Sequence, residues 1–123
     1  MVLNDLQREL REFAAQRDWQ RFHTPKNLVM ALAGEVGELA DLFQWLTPEE
    51  SAAVMTRPEQ AERVREEVAD VFAYLLQLVD VLEIDLAAAL HEKVQQNERR
   101  YPVSLAKGRA DKYDLLRAED EDA

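Results

Sequence analysis

LVMALAGEVGELADLFQWL, residues 28–46, is the stretch on which the reading of this chain turns. Wound at about 100° per residue as an α-helix, it puts Leu28, Leu32, Leu39, Leu42 and Leu46 on one stripe, with Glu35 in the middle of that stripe. Glu38, three residues on, lies beside Glu35 on the same face. A carboxylate therefore stands where a leucine belongs. Burying it ionised is costly unless it is paired or bound to a metal, so this helix needs cations opposite its acidic patch.

The same intrusion recurs at Glu67-Val68-Ala69-Asp70. On a helix expected over residues 58–82, Glu67 and Asp70 share a face with Val64, Val71, Tyr74 and Leu78. The two intrusions predict one shared site, in which Glu35, Glu38, Glu67 and Asp70 are the metal ligands and the catalytic carboxylates. Four oxygen ligands favour Mg²⁺, with Mn²⁺ as a substitute, and clustered like charges raise one another's pKa until a cation binds. Such ions can bridge phosphate oxygens and withdraw charge from a leaving phosphate. A di-iron bundle would want Glu-x-x-His on two helices, and here Glu38 and Asp70 hold that place. A buried ion network with Arg63, Lys93 or Arg100 is the structural alternative.

Outward from these helices the chain reads as further helices joined by short connectors. Leu3, Leu6, Leu10, Phe13 and Ala14 give residues 4–17 an amphipathic period. Residues 18–24 break it and concentrate Trp19, Phe22 and His23 in a connector. Thr24-Pro25 then starts the acidic helix, expected to reach Trp45 and Leu46. Thr47 with Glu50 makes a capping box for a short helix over residues 48–55, and Thr56 with Glu59 is a similar opening for the long third helix. That helix is apolar over more than one stripe, which predicts a homo-oligomer, dimer or tetramer, formed through the helices. A fourth helix begins at Asp85 and ends before Pro102. Its inner stripe passes from Leu86 and Leu90 to Lys93, Asn97 and Arg100, suited to phosphate oxygens if not merely a solvated helix end. Residues 104–116 carry Lys107, Gly108, Arg109, Lys112 and Tyr113 in a short irregular run. With no alternating strand pattern, the fold class is all-α: a four-helix bundle with a short extra helix.

Composition narrows the function. The chain has 123 residues and no cysteine, so thiolate metal sites are excluded. One domain over residues 1–117 is expected, with residues 118–123 an acidic, disordered tail. No apolar run approaches a membrane span and no leader is visible, so no membrane partner and a cytoplasmic location are expected. A net charge of −10 argues against a nucleic-acid polymer as partner. It leaves room for a nucleoside triphosphate held through divalent metal. Trp19 and Trp45 are placed to sandwich a planar base with His23 at its edge or stacked on it, although each aromatic taken singly, Tyr74 included, reads as core. His91 reads as surface.

The run Phe13-Ala14-Ala15-Gln16-Arg17-Asp18-Trp19, then Phe22-His23, Asn27-Leu28, Gly34-Glu35-Val36-Gly37-Glu38-Leu39-Ala40 and Phe43-Gln44-Trp45 resembles the dCTP pyrophosphatase branch of the MazG-like nucleotide pyrophosphohydrolases. Glu66-Glu67-Val68-Ala69-Asp70-Val71, Tyr74-Leu75, Asn97-Glu98-Arg99-Arg100-Tyr101-Pro102 and Lys112-Tyr113 extend the likeness. It runs from about Leu6 to Leu115 and is weakest between Thr47 and Glu62. The resemblance implies Mg²⁺-dependent hydrolysis between the α and β phosphates, giving a monophosphate, dCMP or a modified analogue, and pyrophosphate, in the service of nucleotide-pool cleansing. It implies Glu35, Glu38, Glu67 and Asp70 as metal ligands and Trp19, His23, Trp45 and Tyr74 as base and sugar contacts. Lys93, Asn97, Arg100, Lys112 and Tyr113 fall on the phosphate and closing side, and the site would lie near subunit contacts of a homodimer or dimer of dimers. The alternatives are a MazG-like enzyme of broad specificity and a non-catalytic helical module that binds a nucleotide or a partner.

Overall fold

In a computed structural model, residues 2–110 are described. Three of their helix starts are written in side chains that answer the orphan N–H groups of a first turn. Thr24 Oγ1 accepts from the Asn27 N–H at 3.2 Å with Pro25 behind it. Thr47 and Glu50 close a reciprocal capping box. Asp85 Oδ1 accepts from the Ala88 N–H at 3.1 Å. The helices that result are α1 Val2–Gln16, α2 Pro25–Phe43, α3 Pro48–Ala52, α4 Pro58–Val81, α5 Leu86–Arg100 and α6 Val103–Ala106, with 3₁₀ turns at Gln20–Phe22 and Val54–Thr56. The all-α expectation holds, and none of these helices is long and apolar enough to cross a membrane.

Several details depart from the sequence pattern: the short helix ends at Ala52 rather than at residue 55, and a helical turn stands at Val103–Ala106 where an irregular run is expected. Thr56 does not cap α4: its hydroxyl donates back to the Ala53 carbonyl at 2.6 Å, and the N-cap is Arg57, with no side-chain bond. The 3₁₀ turn just before α4 captures that hydroxyl first. The acidic helix also stops at Phe43 rather than Leu46, with Gln44 as C-cap.

The end of α1 sets the course of the aromatic connector. Asp18 lies in the left-handed region at φ 54°, the Trp19 N–H reaches back to the Ala14 carbonyl at 3.0 Å, and the Asp18 N–H reaches Ala15 at 3.2 Å. This is the Schellman pattern with aspartate in the place glycine usually takes. Its companion apolar contact is present too: the Phe13 and Trp19 rings meet edge to face at 5.7 Å.

The chain divides into two compact units, Met1–Ile84 and Asp85–Ala123. In the first, α4 is the element on which the others pack, α2 along much of its length and α1 on another side. Leu28, Leu76 and Val79 are buried in this unit, together with Ala14 and Ala61. Arg11 Nε pairs with Asp80 Oδ2 at 2.8 Å and Gln7 Nε2 donates to the Leu76 carbonyl at 3.2 Å, fastening α1 to α4. This core is small. Met30 on α2 and Val68 and Phe72 on α4 are exposed, so each of these helices carries an apolar face that the described residues of the first unit leave uncovered. The second unit holds α5 and α6.

Candidate active site

Packing α2 along α4 brings their acidic insertions face to face. Carboxylate oxygens of Glu35 and Glu38 from α2 and Glu67 from α4 lie within 4.8 Å of one another. Glu35 and Glu67 are half-buried and Glu38 is exposed. One oxygen of each half-buried residue, Glu35 Oε2 and Glu67 Oε2, is fully buried and has no hydrogen-bond partner.

That crowding dictates the electrostatics. Burial, then the hydrogen bond and charge of Glu38, then the charges of Asp70 and Glu67, push Glu35 up from 4.5 to about 7. Glu67 is raised as well, by burial first and by Glu38 next. A hydrogen bond between two carboxylates needs a proton, so the trio is satisfied by a shared proton or by a cation. Among the described residues the ion pairs are Arg8–Asp5, Arg11–Asp80, Arg21–Asp18 and Arg65–Glu62, and none reaches the trio. Orphaned acceptors, like charges at close range and an all-oxygen donor set fit a hard divalent cation.

Asp70, expected as the fourth ligand, is not within that 4.8 Å group, although its charge raises both Glu35 and Glu67. Its side chain lines an adjoining cavity of about 170 Å³ together with Trp19, His23 and Tyr74. Three local features aim these groups. The Schellman turn places Trp19. A bond from Asn27 Nδ2 to the Phe22 carbonyl at 2.9 Å ties the His23 connector to α2. Tyr74 stands one helical turn after Asp70. Acid and aromatic groups therefore meet through Asp70.

Of the other predicted residues, none that is described lines this cavity. Trp45, proposed as the second ring of a base sandwich, is 86% exposed beyond the end of α2 and does not line this cavity. Arg63 lines a separate hollow with Asp41 and Gln60. Lys93, Asn97 and Arg100 succeed one another at helical spacing on α5, in the second unit, where Lys93 Nζ donates to Gln96 Oε1 at 3.0 Å. Lys112, Tyr113 and the tail lie outside the described residues. Conversely, Phe13 and Gln77 line the cavity, and the sequence pattern marked neither as a site residue. The signal for Gln77 was its spacing, three residues after Tyr74 and seven after Asp70 on one stripe.

The model of the MazG-like family matches residues 31–116, which contain all four carboxylates. This chain belongs to the MazG-like family. Proteins named dCTP pyrophosphatase 1 are similar to it: that of Bos taurus is 47% identical over 112 residues, covering 91% of this chain and 66% of that protein. That of Homo sapiens is 46% identical over 115 residues, covering 94% and 68%. The MazG-like chain thus spans about two thirds of the length of the curated relatives it matches. A pyrophosphatase from Archaeoglobus fulgidus, solved as a crystal structure, has the same fold, with a TM-score of 0.77 and 43% identity over 83% of this chain and 94% of its own.

Proposed function

We propose that this protein is a Mg²⁺-dependent nucleoside triphosphate pyrophosphohydrolase that cleaves between the α and β phosphates and prefers dCTP or a modified cytosine analogue. The observation that carries this reading is the convergence of Glu35, Glu38 and Glu67 beside a cavity whose wall joins Asp70 to Trp19, His23 and Tyr74. The names of the curated relatives support a pyrophosphatase with dCTP as substrate.

Glu35, Glu38 and Glu67 would hold the cation, and Asp70, whose charge acts on Glu35 and Glu67, lines the adjoining aromatic cavity. When bound, Mg²⁺ supplies Lewis-acid neutralisation of the phosphate oxygens and of the leaving pyrophosphate. Trp19 and Tyr74 offer aromatic faces to the base, which positions the phosphate chain relative to the carboxylates. By the resemblance, Trp45 is assigned to base and sugar contacts, and Lys93, Asn97, Arg100, Lys112 and Tyr113 to the phosphate and closing side.

Self-association belongs to the same proposal. The exposed Met30, Val68 and Phe72, and the open space beside Gly34 and Gly37, suit a second copy packed against α2 and α4. A panel of canonical and modified triphosphates, assayed for monophosphate and pyrophosphate with Mg²⁺ and with chelator, tests the activity. Mg²⁺-dependent release concentrated on cytosine deoxynucleotides is expected. Release spread evenly over all bases would replace the narrow specificity by a broad one, and no release would leave a binding module.

A further inference from the structure

The cavity wall contains one polar group whose orientation is set by its own helix. Gln77 Nε2 donates to the Ala73 carbonyl at 3.1 Å, one turn back along α4. The reverse orientation would press the amide oxygen against that carbonyl oxygen, so chemistry fixes which end of the amide faces Ala73. The other end, Oε1, is left as an acceptor with no donor among the described residues. Gln77 is half-buried and lies on the wall shared by the aromatic cavity and an adjoining one of about 240 Å³, both of which His23 also lines.

A planar base stacked on Trp19 or Tyr74 in this cavity can bring its hydrogen-bonding edge to Gln77, which lines the same wall. Cytosine carries an exocyclic amine, a donor, on that edge, where uracil and thymine carry a carbonyl. A fixed acceptor attracts the first and repels the second, which is stronger discrimination than a missing contact. The geometry points to Gln77 as the specificity-determining residue of this site, its Oε1 accepting from the exocyclic amine of a cytosine-type base. This inference rests on the reading of the aromatic cavity as the base site of the proposed pyrophosphohydrolase.

The test measures equilibrium binding to the full chain of two monophosphates, dCMP and its 4-deamino analogue, the 2-pyrimidinone deoxynucleotide. Wild type is compared with Gln77→Met, which keeps side-chain length and removes the acceptor. Wild type should bind dCMP about tenfold more tightly than the analogue, the worth of one such bond, and Gln77→Met should bring the two within about twofold by weakening dCMP alone. If Gln77→Met does not fold, Gln77→Ala, with its high helix propensity, takes its place. An unchanged preference in the variant, or a wild type that binds both nucleotides alike or neither, overturns the role of Gln77. Pyrophosphate release from dCTP is measured in the same preparations. Its absence with the dCMP preference intact would defeat the proposed reaction and leave the recognition role standing.

Discussion

Replacing Glu35 by glutamine isolates the electrostatic account of the site. In the metal-free protein the Glu35 carboxyl titrates at about 7 rather than 4.5 because it is buried against Glu38, Glu67 and Asp70. Between those values the folded chain holds a proton that the unfolded chain releases. Glu35 therefore contributes stability that is fully present below pH 4.5, falls as pH rises and is lost above about pH 7. At about 1.4 kcal/mol per tenfold change in proton affinity, the full displacement corresponds to about 3 kcal/mol. Solvent reaches this half-buried cluster through the exposed Glu38, and screening reduces the expected effect to about 1–2 kcal/mol. Urea unfolding in chelator at pH 5.5 and pH 8 measures it. Wild type should lose stability between the two, while Glu35→Gln should lose less and should exceed wild type at pH 8. Saturating Mg²⁺ should stabilise wild type more at pH 8 than at pH 5.5, because it competes with the proton for the same oxygens. A wild type equally stable at both pH values, or a Glu35→Gln variant less stable than wild type at pH 8 without metal, would refute the reasoning.

Asp18→Val puts a β-branched residue at φ 54°, which should cost about 1–2 kcal/mol and weaken dCMP binding by displacing Trp19. Thermal melting and calorimetry check both effects, and an unchanged melting temperature would remove the turn from the account. Met30→Glu alters a side chain that is 63% exposed, so secondary structure should be unaffected while the solution mass measured by light scattering falls. An oligomer of unchanged mass would take the α2 face out of the interface.

The features legible in the sequence were those that depend on near neighbours along the chain. Thr24-Pro25, the Thr47–Glu50 box and Asp85 are local devices, and the structure uses each as read. Glu35 and Glu67 announced themselves by phase, since a carboxylate in an apolar stripe requires an explanation in the facing helix. Features decided by competition or by distant partners were not legible. Thr56 had two backbone partners within reach and bonded the one in the preceding turn. Asp18 concealed a Schellman turn because it lacks the glycine that marks one. The phase that grouped Asp70 with Glu67 gave no distance across to α2, and the side chain that shares Glu67's stripe lines the aromatic cavity. Gln77 fell in a run read as apolar, and its importance depends on His23 and Trp19, which come from a connector more than fifty residues away.

The claim on which the rest depends is that Glu35, Glu38 and Glu67 hold a divalent cation, and Mn²⁺ titration monitored by electron paramagnetic resonance tests it most directly. Wild type should take up Mn²⁺ with an affinity that increases from pH 5.5 to pH 8, Mg²⁺ should displace it, and Glu67→Gln should lose the uptake while keeping its helical circular dichroism. Equal Mn²⁺ uptake by wild type and Glu67→Gln, or no uptake by a folded wild type, would contradict the account.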